Sequence, residues 1–228
     1  MLVLVIGDLN LPHKAINIPS KFRKLLVPGR IQQVICTGNV CDKQTYEYLR
    51  SLVNEIHIVK GDFDENRHFP SSLVLNYSPV KIGVIHGHQI IPANDRLSLL
   101  FCAQSMDVDI LLSGNTSKFE AYKFGERFFL NPGSATGTWS MSTCSETNKE
   151  TIGEKNSAQS EASHENRQES GKCTSKAITT LNDPKHQNNP SFALLDIQGH
   201  HVVIYIYQLI NDEVRVEKME YKKILPSE

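Results

Sequence analysis

Six short apolar runs, most of them closed by a glycine and a polar residue, constrain this chain more than any other feature of it. They are Leu2–Ile6, Val34–Cys36, Ile56–Val59, Ile82–Ile85, Ile110–Leu112 and Phe128–Leu130. Gly7-Asp8, Gly38-Asn39, Gly61-Asp62, His86-Gly87 and Gly114-Asn115 come at or just after the ends of the first five. Continuous apolar runs of this length, bounded by turn residues, fit strands buried on both faces. Between some of them, Tyr46–Val53 and Arg96–Met106 carry apolar residues at i, i+3, i+4 spacing, which predicts helices. Strands alternating with helices predict an α/β sandwich with buried sheets. The C-terminal part reads differently. Phe192–Ile197 and Val202–Leu209 flank Gly199 as a hairpin, and Val214–Tyr221 follows a turn at Asn211-Asp212. These are expected to be antiparallel strands added to one sheet.

One stretch breaks the pattern. Residues 140–189 are rich in Ser, Thr, Asn, Gln, Glu and Lys and contain no aromatic residue. Such a segment buries too little apolar surface to offset the entropy of ordering it, so it reads as a disordered insert. Residues 1–139 and 190–223 then form a single domain, with 224–228 as a tail. Charge adds exclusions. The 24 basic side chains against 25 acidic ones give a net charge of -1, so no global excess of charge draws the chain to nucleic acid or an anionic membrane. No apolar run approaches the ~18 residues of a membrane span. The opening MLVLVIGD lacks a basic flank and is expected to be a first strand rather than an export signal. The five cysteines are odd in number and form no CxxC pair, which argues against a disulfide framework or zinc ribbon and points to a reducing cytosol.

Functional groups in α/β folds gather beyond the C-terminal ends of strands. Here those positions hold Asp8, Asn10, Asn39, Asp62, His86, His88, Asn115 and Ser117. Singly, each has a structural explanation: Asp8 as a cap, Asn39 and Asn115 as partners of local backbone, His86 as a core histidine. As a series they resemble the blocks of the calcineurin-like metallophosphoesterase superfamily. Those blocks run D-x-H, G-D-x-x-D, G-N-H-[DE], a strand-end His, and G-H-x-H. The chain offers Asp8-Leu9-Asn10, Gly38-Asn39-Val40-Cys41-Asp42, Gly61-Asp62-Phe63-Asp64, His86-Gly87-His88 and Gly114-Asn115-Thr116-Ser117. The resemblance implies a two-sheet α/β/β/α sandwich and a site for two cations. It also implies that the chemistry has been dismantled. The first ion's ligands map to Asp8, Asn10, Asn39 and Ser117, the second's to Asn39, Asp62, His86 and Asn115. Two divalent ions ~4 Å apart repel by roughly 16 kcal/mol at an effective dielectric of 20. The neutral Asn39, standing where the family places a bridging Asp, offsets little of that. The family's proton donor maps to Phe63, which cannot act as an acid. The expectation is a vestigial pocket with no phosphoesterase activity and no required cofactor, holding at most a weak divalent ion at Asp62 and His86. The rival is a divergent phosphodiesterase using that one metal.

Longer strings narrow the resemblance. MLVLVIGD, KFRKLLVPGRIQ, ICTGN, HIVKGDFDEN, KIGVIHGHQIIP, DVDILLSGNT, NPGSATG and YQLINDEVRVEKMEYKK resemble the vacuolar protein sorting-associated protein 29 family, the phosphoesterase-fold subunits of retromer. The chain departs from that family at Asn10, Asn115 and Ser117, where the family has His, and in its long insert. The resemblance implies a non-catalytic scaffold that docks on the C-terminal helical solenoid of vacuolar protein sorting-associated protein 35. It further implies a cytoplasmic protein, peripheral on endosomes through its partners. Ile91 matches a contact position for the solenoid, with Pro92, Phe63 and Asn66 as neighbours. From the residues alone, Ile90, Ile91 and Pro92 lie past a strand end with little core to enter, which is interface-like. A second apolar surface for regulators of small GTPases matches Leu2, Leu25, Leu26, Leu194, Tyr205, Tyr207 and Val216. Tyr205 and Tyr207 share one face of a strand by its period of two.

Overall fold

The computed structural model describes residues 1–139 and 188–224. The insert expected over 140–189 therefore lies outside the described residues except for Asn188 and Asn189, and Cys144 and Cys173 lie outside with it. Six strands form the first sheet, in the order β11-β10-β9-β1-β2-β3. β1 (Leu2–Ile6), β2 (Gln33–Cys36) and β3 (Glu55–Ile58) run parallel. β9 (Ser191–Gln198), β10 (His201–Ile210) and β11 (Glu213–Lys222) extend it as the antiparallel addition anticipated from the hairpin signals. The second sheet has the order β4-β5-β6-β8-β7. In it β5 (Val80–Ile85), β6 (Ile110–Leu112) and β8 (Arg127–Pro132) are parallel, and the edges are β4 (Ser72–Tyr77) and β7 (Phe119–Phe124).

Side-chain alternation sorts the layers. On β1, Val3 and Val5 enter the core between the sheets, where they meet Ile82, Val84, Leu112, Leu130, Leu195 and Ile204. Leu4 and Ile6 point the other way. There they pack with Phe22 of α1 (Ser20–Leu25) and with Leu49 and Leu52 of α2 (Lys43–Leu52). Leu99 and Ala103 of α3 (Arg96–Ser105) cover Ile85, Leu111 and Phe129 on the outer face of the second sheet. The result is the α/β/β/α sandwich that the sequence predicts. Both longer helices start at an aspartate: Asp42 accepts from the Thr45 N–H at 3.2 Å and Asp95 from the Ser98 N–H at 2.8 Å.

All six apolar runs become strands. Three elements are absent from the sequence reading: α1, β4 and β7. α1 is a six-residue helix, too short to establish a period. β7 is an edge strand with no apolar run, and β4 is an edge strand whose short run Leu73-Val74-Leu75 the sequence reading passed over.

Candidate functional site

The turns that follow β1, β2, β3, β5, β6 and β8 meet across the two sheets. The Asp8 N–H donates to the Gly38 carbonyl at 3.1 Å and the Asn10 N–H to the Asn39 carbonyl at 2.8 Å. Gly114 N–H reaches the His86 carbonyl at 2.8 Å. The approach is tight enough at Gly38 (φ +106) that a Cβ there would lie 2.8 Å from both Gly61 N and His86 Nδ1. Asp8, Asn10, Asn39, His86 and Ser117 are all buried, Asn115 is partly exposed and Asp62 is exposed. The structure thus brings together all seven residues expected to form the pocket.

The first half of the pocket is closed by neutral donors. The Asp8 carboxylate accepts the Asn115 N–H at 3.1 Å on one oxygen and the Ser117 N–H at 2.9 Å on the other. Burial pushes its carboxyl upward in pKa, opposed by the charge of His86 and by these two N–H groups. Beneath it, the turn after β8 supplies hydroxyls. Ser134 Oγ donates to the Asp8 carbonyl at 2.7 Å and accepts from the Thr138 N–H at 3.0 Å, and Thr136 Oγ1 donates to the Leu9 carbonyl at 2.8 Å. Asn10 Nδ2 donates to Thr138 Oγ1 at 3.2 Å. Nothing in the sequence reading pointed to Ser134, Thr136 and Thr138; the first two lie within NPGSATG and the third directly follows it, and the Ser and Thr density beside a glycine turn is the available signal.

The second half is closed by charge. His86 Nδ1 lies 2.6 Å from the Thr37 carbonyl and Nε2 lies 3.0 Å from Asp62 Oδ1. Both neighbours accept, so a proton on each ring nitrogen satisfies them, while Asn39 Nδ2, itself a donor, also stands 3.2 Å from Nε2. Burial opposes the charged ring, but Asp62, Asp8 and the Thr37 carbonyl outweigh it and raise the His86 pKa. Partial burial works against the Asp62 carboxylate too; hydrogen bonds from His86 and Asn39, with the imidazolium charge, hold its pKa down at about 2. His88, its ring centroid 5.4 Å from that of His86, is depressed by burial and then by the His86 charge. Asn39 Nδ2 donates to the same Asp62 oxygen at 2.9 Å and Asn39 Oδ1 accepts from the Phe63 N–H at 3.0 Å. Asp64 ties these turns, accepting N–H groups from Asn39, Cys41 and Gly61, each at 2.8 Å.

This donor set does not fit two cations. The bridging position is an amide already committed on both atoms, and the first half offers one carboxylate, each oxygen of which already accepts a backbone N–H. Asn10 Oδ1 is buried without a partner, but an amide oxygen adds no charge. Among the described residues, no group of three or more His, Cys, Asp or Glu converges as a metal site. Only Asp62 and His86 remain as a pair of metal-type donors.

Residues 1–148 match the calcineurin-like phosphoesterase superfamily domain. The chain is 37% identical over 223 residues to vacuolar protein sorting-associated protein 29 of Schizosaccharomyces pombe, spanning 98% of this chain and 99% of that one. It belongs to the vacuolar protein sorting-associated protein 29 family. Two crystal structures of Vps29 agree. That from Chaetomium thermophilum superposes with a TM-score of 0.76 at 34% identity, over 98% of this chain and 100% of the other. The Vps29 from Entamoeba histolytica complexed with zinc gives a TM-score of 0.74 at 39% identity, over 96% of this chain and 99% of the other.

Within this Vps29-type fold, the residues expected at two partner surfaces differ in exposure. Ile91 is 85% exposed, Phe63 is 48% exposed, and Pro92 and Asn66 are also exposed. Leu97 and Phe101, one turn apart on α3 and opposite the buried Leu99 and Ala103, are 56% and 65% exposed. The i, i+3, i+4 spacing read over Arg96–Met106 does not separate these two from the buried pair. α3 is apolar nearly all round, so its pattern does not tell the core side from the outer side. On the outer face of the first sheet, Leu194 lies opposite Tyr205, and Tyr207 opposite Val216. Leu2, Leu194, Tyr205 and Tyr207 are partly exposed, while Leu25 and Val216 are exposed. Leu26 is the correction: at 3% exposure it packs with Phe22 and Ile31 in the core, because the chain turns inward after α1.

Proposed function

We propose that this chain is a non-catalytic scaffold subunit of retromer. One surface, around Ile91, Pro92, Phe63 and Asn66, docks on the C-terminal helical solenoid of vacuolar protein sorting-associated protein 35. The other, formed by Leu2, Leu25, Leu194, Tyr205, Tyr207 and Val216, recruits regulators of small GTPases for endosome-to-Golgi or recycling transport. Membership of the family supports the assembly. The observation that carries the docking reading is Ile91: a large aliphatic side chain, 85% exposed, beside a pocket whose polar groups are spent on one another. Apolar anchors of this kind supply most of the energy at protein interfaces. The chain needs no cofactor in this role, though Asp62 and His86 offer two donors for one weakly held divalent ion. Among the described residues, no helix is long and apolar enough to cross a membrane, so endosomes are reached through partners.

The test is Ile91→Asp, measured as pull-down of the solenoid alongside thermal melting. Binding should be lost with the melting temperature nearly unchanged. A large drop in melting temperature would instead make Ile91 a folding residue. A manganese-dependent phosphodiesterase activity that vanishes in His86→Ala would favour the enzyme reading.

A further inference from the structure

The mouth of the pocket carries a cation that nothing else in the described chain neutralises. Lys14, in the turn after β1, is exposed, and its backbone N–H is anchored to the Asn10 carbonyl at 2.8 Å. Its Nζ lies 4.6 Å from the centre of the Phe63 ring and 5.6 Å from that of Trp139. Both distances are within the ~6 Å over which a ring face attracts an ammonium. The three residues come from the turns after β1, β3 and β8, so the contact pins three loops at one point. Lys14 forms no ion pair among the described residues. The nearby acids are otherwise engaged: Asp62 receives His86 and Asn39, and Asp64 receives three backbone N–H groups.

We propose that Lys14 is a pre-set docking cation, held by Phe63 and Trp139 to receive an acidic side chain of the partner helix that covers Ile91. This rests on the solenoid reading above and adds the partner's chemistry to it: an apolar pocket for Ile91 with a carboxylate beside it. Charge complementarity argues for the occupant. A lysine left to itself on a surface samples many rotamers, and an ion pair must order it. Two ring faces have already done so here. A charge at such a rim sets association rate and salt dependence and rejects partners lacking the carboxylate.

The experiment is calorimetric titration of the full chain with the solenoid, at low and high salt, for wild type, Lys14→Arg, Lys14→Ala and Lys14→Glu. Lys14→Glu should weaken binding at least about tenfold at low salt, Lys14→Ala less, and Lys14→Arg no more than about twofold. The salt dependence seen in wild type should flatten in Lys14→Ala. Melting temperatures serve as the folding control. Trp139 is the sole tryptophan, so its fluorescence should shift when solenoid is added to wild type. If Lys14→Glu binds like wild type while Ile91→Asp does not bind, the docking cation is refuted and the scaffold reading stands. If wild type itself does not bind the solenoid, both fall.

Discussion

The two halves of the pocket satisfy their carboxylates by different routes. Around Asp8, a buried carboxylate has its oxygens filled by the N–H groups of Asn115 and Ser117 and its loop braced from below by Ser134 and Thr138. Around Asp62, a partly exposed carboxylate faces a cationic ring, with the Asn39 amide wedged against both. The first arrangement is architecture: it joins turns more than a hundred residues apart. The second is an ion pair, sensitive to pH and open to competition by a metal. Two carboxylates of one pocket are therefore satisfied in different ways, each fixed by which partners are within reach.

The largest effect should separate the halves by stability. Asp8→Ala strands two N–H groups in the interior and should cost about 3 kcal/mol in urea unfolding, whereas Asp62→Ala should cost less than about 1 kcal/mol. Equal losses would erase the distinction. A smaller contrast concerns pH, measured with a chelator present. His86 is held more basic than in the unfolded chain, so its contribution is full below about pH 6.5 and disappears as pH rises through its folded value. Asp62, held at about 2, contributes above about pH 4 and loses that contribution as pH falls toward 2. His86→Gln should therefore flatten the alkaline limb of the stability profile, which Asn10→Ala should leave as it is. The smallest effect is with zinc. A rise of a few degrees in melting temperature at millimolar zinc should vanish in His86→Ala and persist in Asn10→Ala. Persistence in His86→Ala would move the ion to the first half.

Much of this was legible in the residues. Parallel strands buried on both faces leave continuous apolar runs, so β1, β2, β5, β6 and β8 were readable, as were the polar turns that close them; β3, a partly exposed edge strand, was readable from Ile56, Ile58 and Val59. The hairpin at Gly199 was readable from its turn. Leu26 and Leu25 could not be told apart, since two adjacent leucines before a turn carry no phase. Leu97 and Phe101 were hidden by a helix with apolar residues on every side. The pairing of Asp8 with Asn115 and Ser117 depends on how the sheets stack, and the commitment of Asn39 to Asp62 and Phe63 depends on two turns meeting at hydrogen-bond distance; neither has a local signature.

The turn conformations have a consequence for how such a chain drifts. Asp8, Asn10, Asn39, Cys41, Asn115 and Ser117 all adopt positive φ, from 45° to 71°. Apart from glycine, asparagine and aspartate tolerate that region best. Once selection for a reaction relaxes, the substitutions that cost the backbone least are those toward asparagine. Three of these six positions hold asparagine, so the outline of the cleft is kept by residues that its backbone accepts at little strain.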